Sequence, residues 1–185
     1  MITYKNFIDD FKTVATNHFL INSFHSGMLD EVDINKLDQA DFPILYVEPG
    51  NTNIDKGVMT YTFTVFVMDL INDNLAVGTG TSPLNTFTRE SNREQVWSDM
   101  LQIMQDVIAE FRQNLAVQTS GGDSGKKYSY IPNEVVLNMP INAEPFTVRF
   151  ANMLTGWSAT FTMQVNNPNS LCNAPIEPSD EAPNT

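Results

Sequence analysis

The sequence predicts an α+β fold, an antiparallel β-sheet with two α-helices packed on one face. Three segments carry that prediction. Val58 to Asp69 (VMTYTFTVFVMD) alternates, with Met59, Tyr61, Phe63, Val65 and Val67 on one face and Thr60, Thr62 and Thr64 on the other. A period of two over this length specifies a β-strand, and its Thr, Val, Phe and Tyr suit a pleated, half-buried surface. Leu154 to Val165 (LTGWSATFTMQV) repeats the pattern, with Trp157, Ala159, Phe161, Met163 and Val165 opposed to Ser158, Thr160, Thr162 and Gln164. Between them, Val96, Met100, Met104, Val107 and Phe111 recur at the spacing of one helix face. Runs of strands split by a helix, each strand with one polar face, read as a sheet covered on one side only.

The elements follow in chain order. Phe7, Phe11, Val14 and His18 line one face of a predicted helix from Tyr4 to Phe19, with Thr3 as its N-cap. Asn22, Ser23 and Gly27 break that pattern, and Leu29 to Leu37 reads as a short irregular segment. Asp41-Phe42-Pro43 leads into a short strand, Ile44 to Val47, closed by the turn signal Glu48-Pro49-Gly50. The long strand beginning at Val58 would run roughly 40 Å at about 3.3 Å per residue. Most strands have about 5–6 residues, so this one is expected to project past its own core as a strand or hairpin.

Asn72 to Glu90 is polar and aperiodic, and loops of that length are usually functional or disordered. Ser91 and Glu94 have the spacing of a capping box at the start of a second helix, Asn92 to about Leu115, whose apolar stripe is widened by Trp97, Leu101 and Ile108. Thr119 to Lys127 reads as a loop and Glu134 to Met139 as a strand ended by Pro140. Phe146, Val148 and Phe150 alternate in a further strand, with Pro145 at its start, where the ladder tolerates it. The expected organisation is one α+β domain over residues 1–166, with the loop 72–90 inserted, and a flexible acidic, Pro-containing tail over 167–185.

Composition narrows the function. The formal charge is −12, from 22 acidic and 10 basic residues, which disfavours casual binding to nucleic acid or anionic membrane. Only 17% of residues are charged, against about 25% in ordinary globular proteins. Asn, Thr and Ser fill the gap, as large uncharged contact surfaces require. Cys172 is the one cysteine, so a disulfide-stapled module is excluded. No stretch approaches the roughly 20 apolar residues of a membrane span. The opening residues have an amphipathic pattern rather than a secretory signal, so synthesis in a cytosol is expected.

No catalytic constellation emerges. His18 and His25 are the two histidines, with neither H-x-x-x-H nor C-x-x-C spacing for zinc. No G-x-S-x-G elbow accompanies them, and Cys172 lies in the tail, where nothing holds a base against it. Gly121 to Lys127 has the outline of a phosphate loop but lacks the first Gly and the final Ser or Thr, and it follows a helix instead of opening one. The acidic run from Asp30 places Asp38 and Ile44 where a calcium loop starting at Asp33 needs Gly and Glu. The sequence therefore predicts no enzyme, no cofactor and no metal site.

Taken in order, several segments form a recognisable set: S-F-H-S-G-x-L-D-E-V-D, D-F-P-I-L-Y-V-x-P-G, T-x-T-F-T-V-F-V-M-D, N-R-E-Q-V-W-S-D-M-L-Q-I-M-Q-D-V-I and G-W-S-A-T-F-T-M-Q-V. From Tyr4 to Val165 the chain resembles the tail-terminator and head–tail connector proteins of tailed bacteriophages. That resemblance implies a sheet flanked by two helices, and closed rings of six or twelve copies at the junction of capsid and tail. It implies a structural virion protein, made in the host cytoplasm, that contacts itself and adjacent portal, neck or tail proteins. Genome DNA would pass through the lumen without specific binding. The expected subunit contacts are Leu75, Val77, Leu84 and Phe87 in the long loop, with Arg89 and Arg93 beside it. The alternative is a small-ligand module using a pocket between helices and sheet, or another capsid or baseplate component.

Overall fold

The computed structural model describes residues 2–28, 38–71, 92–113, 135–147 and 154–167. Two helices, α1 (Tyr4–Asn17) and α2 (Arg93–Gln113), pack on one face of a six-stranded sheet. Its strands are β1 (Ser23–Ser26), β2 (Ile44–Ile54), β3 (Val58–Leu70), β4 (Val135–Leu137), β5 (Ala143–Thr147) and β6 (Leu154–Asn166). They lie in the order β1-β2-β3-β6-β4, with β5 also paired to β6. The fold is the α+β arrangement that the alternation predicts. The sheet is mixed, because β1 runs parallel to β2 while every other pairing is antiparallel.

The helices begin and end for local reasons. The Thr3 hydroxyl accepts from the Asn6 backbone N–H, and the Asn6 side chain accepts from the Thr3 N–H, so two orphan donors of α1 are satisfied. Phe7, Phe11, Val14 and Ala15 are its buried face. The helix stops at Asn17, short of Phe19, because His18 takes up extended backbone as the C-cap. In α2, Val96, Met100, Met104, Val107 and Phe111 are buried as the spacing predicts. Ile103 is buried as well, three residues after Met100 on the same stripe. Ser91 and residues 114–115 lie outside the described residues, so neither the capping box nor the expected end at Leu115 is in view.

The main core lies between helices and sheet. Phe11 sits 4.4 Å from Phe111 and 5.6 Å from Phe63 (ring centroids), while Phe111 meets Phe161 edge-on at 6.0 Å. Such pairs add about 0.5–1.5 kcal/mol each beyond the area they bury. Strands β3 and β6 are the spine, pairing without interruption from Val58 with Asn166 to Leu70 with Leu154. Met59, Tyr61, Phe63, Val65 and Val67 of β3 face the helices together with Ala159, Phe161, Met163 and Val165 of β6.

Four expectations need correction. The sheet is not covered on one side alone: Ile44, Tyr46, Phe66, Met68, Phe146 and Leu154 form a second buried cluster on the face away from the helices. Their presence there follows from β-strand alternation, since each is one residue out of step with the helix-facing set. The segment Glu48-Pro49-Gly50 does not close β2. The strand continues to Ile54 through an irregularity between Pro49 and Thr52. Parallel β1 ends opposite Val47, so Pro49 sits where one side of β2 has become an edge, a place that accepts proline. Ser23 to Ser26, read as a break, forms β1. Finally, Pro145 lies inside β5 opposite Trp157, not at its start, and residues 148–150 lie outside the described residues.

Candidate interaction surfaces

The long β-hairpin projects unevenly. Met59 is only 6% exposed and Val165 is buried, so on β3 the packed core reaches almost to the first residue. On β2 every residue from Gly50 onward is exposed, and Ile54 to Val58 form the tip. This tip is tightly held: the Asp55 N–H donates to the Val58 carbonyl at 3.0 Å, and the Asp55 carboxylate accepts from the Lys56 N–H at 2.7 Å. Asn167 clamps it from the far end of β6. Its side-chain amide donates to the Asp55 carbonyl at 2.7 Å and its backbone N–H to the Gly57 carbonyl at 3.0 Å. Asn167 is thus part of the folded domain, although it is the first residue of the expected tail. Ile54 is 67% exposed and Val58 is also exposed. Ile54 stands opposite Met59 on the helix side, whereas Val58 is in phase with the Thr residues. The tip therefore presents apolar groups to both sides, as an inserted element does.

Beneath the tip, the sheet face away from the helices carries a neutral polar ladder. Thr62 pairs with Thr162, Thr64 with Thr160, and Thr60 with Gln164. A shallow cleft of about 380 Å³ opens here, its polar lining made by Thr64, Asn142, Glu144, Ser158, Thr160 and Thr162. Hydroxyls and amides both donate and accept. Two carboxylates border it, Glu144 on the cleft and Glu48 opposite Thr64, so the face offers uncharged donors and acceptors with an acidic edge.

At the other end of the sheet, a hydrogen-bonded cluster fixes the start of α2. The Trp97 indole donates to the Thr155 hydroxyl at 2.7 Å, which donates in turn to the Phe146 carbonyl at 2.7 Å. The Trp157 indole donates to the Trp97 carbonyl at 2.8 Å. Asp69 lies opposite Thr155 in the same region. Burial raises its carboxyl pKa, partly offset by the Leu70 N–H, with Asp99 adding to the rise. Of the expected contact residues, Arg93 falls here at the first turn of α2, its buried Nε without a hydrogen-bond partner among the described residues. Leu75, Val77, Leu84, Phe87 and Arg89 lie outside the described residues.

The histidines are not brought together. His18 caps α1 and approaches α2, with Nε2 3.4 Å from an Asp106 carboxylate oxygen. The Leu20 N–H donates to Nδ1 at 3.2 Å, which leaves the proton on Nε2 and makes it the donor to Asp106. His25 is in β1 beside Tyr46, in phase with the face away from the helices. Cys172 lies outside the described residues. Among the described residues no group of three or more His, Cys, Asp or Glu side chains is placed to hold a metal ion, and no helix is long and apolar enough to cross a membrane.

Sequence reasoning expected a projecting strand or hairpin but not the place of its tip, since it put the turn at Glu48-Pro49-Gly50. The signal that would have found it is Asp55-Lys56-Gly57 between two strand-forming runs. No protein-family model matches this chain, and no curated protein sequence matches it.

Proposed function

We propose that this chain is a structural virion protein that forms a ring in the phage neck or at the tail junction, as tail terminator or head–tail connector. Its partners are further copies of itself, six or twelve to a ring, and the adjacent portal, neck or tail proteins. DNA passes through the lumen without specific contacts. The observation that carries this reading is the pairing of a clamped, apolar hairpin tip with a Thr-rich polar face at one end of the sheet. A ring needs a heterologous contact, one patch meeting a different patch on the next copy, and these two surfaces differ in the way such a contact demands.

The resemblance supports the same reading. Its D-F-P-I-L-Y-V, T-x-T-F-T-V-F-V-M-D, W-S-D-M-L-Q-I and G-W-S-A-T-F-T-M-Q-V segments fall on β2, β3, α2 and β6, the elements that build the sheet and its helical layer. A small-ligand module has less support, because Phe7, Phe11, Phe63, Phe111 and Phe161 fill the space between helices and sheet.

Size-exclusion chromatography with light scattering tests the proposal. Six to twelve copies of a 20.7 kDa chain weigh roughly 120–250 kDa as a closed ring. The double substitution Ile54→Ser, Val58→Ser should leave the monomer folded and remove that species. A wild-type chain that stays monomeric at every concentration, alone and with its neck partners, refutes the ring.

A further inference from the structure

We propose that two copies of this chain also join about a twofold axis by exchanging Phe19, each phenyl ring entering a cleft beside the α1–β1 corner of the other copy. Phe19 is 101% exposed, so its ring packs against none of the described residues, and Leu20 beside it is exposed as well. The corner that displays them is pinned. The His18 N–H donates to the Ala15 carbonyl, the Ile21 N–H to the His18 carbonyl, and the Asn22 N–H to the Pro43 carbonyl at 2.9 Å. The Leu20 N–H bonds to the His18 ring, which also reaches Asp106 of α2. The backbone that carries this large apolar side chain is already held, so binding has only the two χ angles of the ring left to order, a small cost for an aromatic anchor.

The receiving site is on the same patch. A cleft of about 210 Å³ lies between α1 and β1, lined by Ala15, Thr16, Ile21, Asn22, Ser23 and Phe24. A cavity of roughly 150 Å³ accepts a benzene molecule, so this one has room for one phenyl ring. None of the six lining residues is charged, although the chain carries a net charge of −12. Two copies that repel each other elsewhere can approach here.

Knob and hole within a few residues of each other make a self-complementary patch, and such a patch generates a twofold pair. The contact does not rest on the ring reading. In a monomeric chain it gives a dimer, and in a ring it joins two rings face to face. Two phenylalanine side chains bury roughly 150–250 Å² each, so with Leu20 and the cleft rims the contact falls short of the roughly 1,200 Å² of a stable pair. It is accordingly weak between single copies and gains strength when repeated around a ring.

Sedimentation equilibrium of the full chain at high micromolar concentration, in low and high sodium chloride, tests this. Wild-type protein should double its mass, and salt should strengthen the pairing by screening the like charges. Phe19→Ser should weaken pairing at least roughly tenfold while melting as the wild type does. Thr16→Trp, on the exposed rim of the cleft, should weaken it similarly. A 1:1 mixture of the two variants should pair more strongly than either alone, since one copy keeps its knob and the other its hole. Failure of the wild type to double, undiminished pairing by Phe19→Ser, or a mixture no stronger than its components each overturns the proposal. Loss of the ring mass in the Ile54→Ser, Val58→Ser protein with pairing intact would leave it standing.

Discussion

Replacing Gly156 by alanine should open the spine of the sheet. Gly156 of β6 lies opposite Met68 of β3. A Cβ added there would stand 2.0 Å from the Val67 carbonyl oxygen, 2.8 Å from the Met68 Cα and 2.9 Å from the Val67 carbonyl carbon. Optimal contacts between such atoms fall at about 3.5–4.0 Å, so the two backbones must part by more than about 1 Å. All three obstacles are main chain, so no side-chain rotamer can relieve them. Parting the strands here also strains the neighbouring bonds from Trp97 to Thr155 and from Trp157 to Trp97. Overpacking costs about 1–3 kcal/mol in ordinary cores, and a backbone obstacle places this change at the upper end. For a chain of this length, 3 kcal/mol lowers the melting temperature by roughly 6–12 °C. Gly57→Ala is the control, since nothing lies within 4 Å of its added Cβ. Thermal and urea denaturation of the two variants decide the matter. A Gly156→Ala protein melting within about 1 °C of wild type would refute the close approach of β3 and β6.

Met104→Asp places an unpaired charge at a site with no solvent exposure and should abolish soluble expression, as buried unpaired charges do; a soluble variant with unchanged melting would mean that α2 does not bury this face. Thr155→Val removes both the acceptor for the Trp97 indole and the donor to Phe146, and should cost about 1–3 kcal/mol in urea denaturation. Burial, with Asp9 adding to it, pushes the Asp10 carboxyl up to about 6. The folded state then holds that proton more tightly than the unfolded chain, so the associated stability is complete below about pH 4 and is lost as pH rises through 6. Asp10→Asn, which mimics the protonated acid, should therefore melt higher than wild type at pH 7.5 and close to it at pH 4, and equal differences at both pH values would contradict this.

The legible parts of the fold are those with unbroken periodicity. Strands β3 and β6 and the stripe of α2 announced themselves because one face of each is apolar and the other polar over most of its length. The second cluster was also written in the chain, in a different signal: Ile44-Leu45-Tyr46-Val47 and Val65-Phe66-Val67-Met68 are continuous apolar runs, which mark burial on both faces. Reading Phe66 and Met68 as part of a one-sided strand hid it. The four residues of β1 could not be read, because Ser-Phe-His-Ser is too short and too polar to show a period, and β1 is held by its parallel pairing to β2. The path of β2 past Pro49 depends on where β1 ends, a tertiary fact. His18 read as a half-buried helix residue, whereas its bond to Asp106, 88 positions away, ties the two helices together. Exposed Phe19, Ile54 and Val58 have no sequence signal that separates them from core residues. The apolar members of the candidate surfaces were for that reason visible only in the fold, although Asp55-Lys56-Gly57 marks the turn and the Thr alternation marks the polar face.

The unbroken ladder between β3 and β6 also governs when this protein can fold. Its partners lie far apart in the chain, Leu70 with Leu154 and Val58 with Asn166. Contacts between such distant positions form slowly, because a long loop must close before the pairing stabilises anything. On the ribosome, β3 emerges with one long edge bare and stays so until Leu154–Asn166 has been made. An exposed alternating strand rich in Thr, Val and Phe is the kind of segment that pairs with the wrong neighbour. Where many copies are made close together, arrival of β6 is the step that ends that exposure, and with it comes Asn167, whose clamp closes on the hairpin turn 112 positions back.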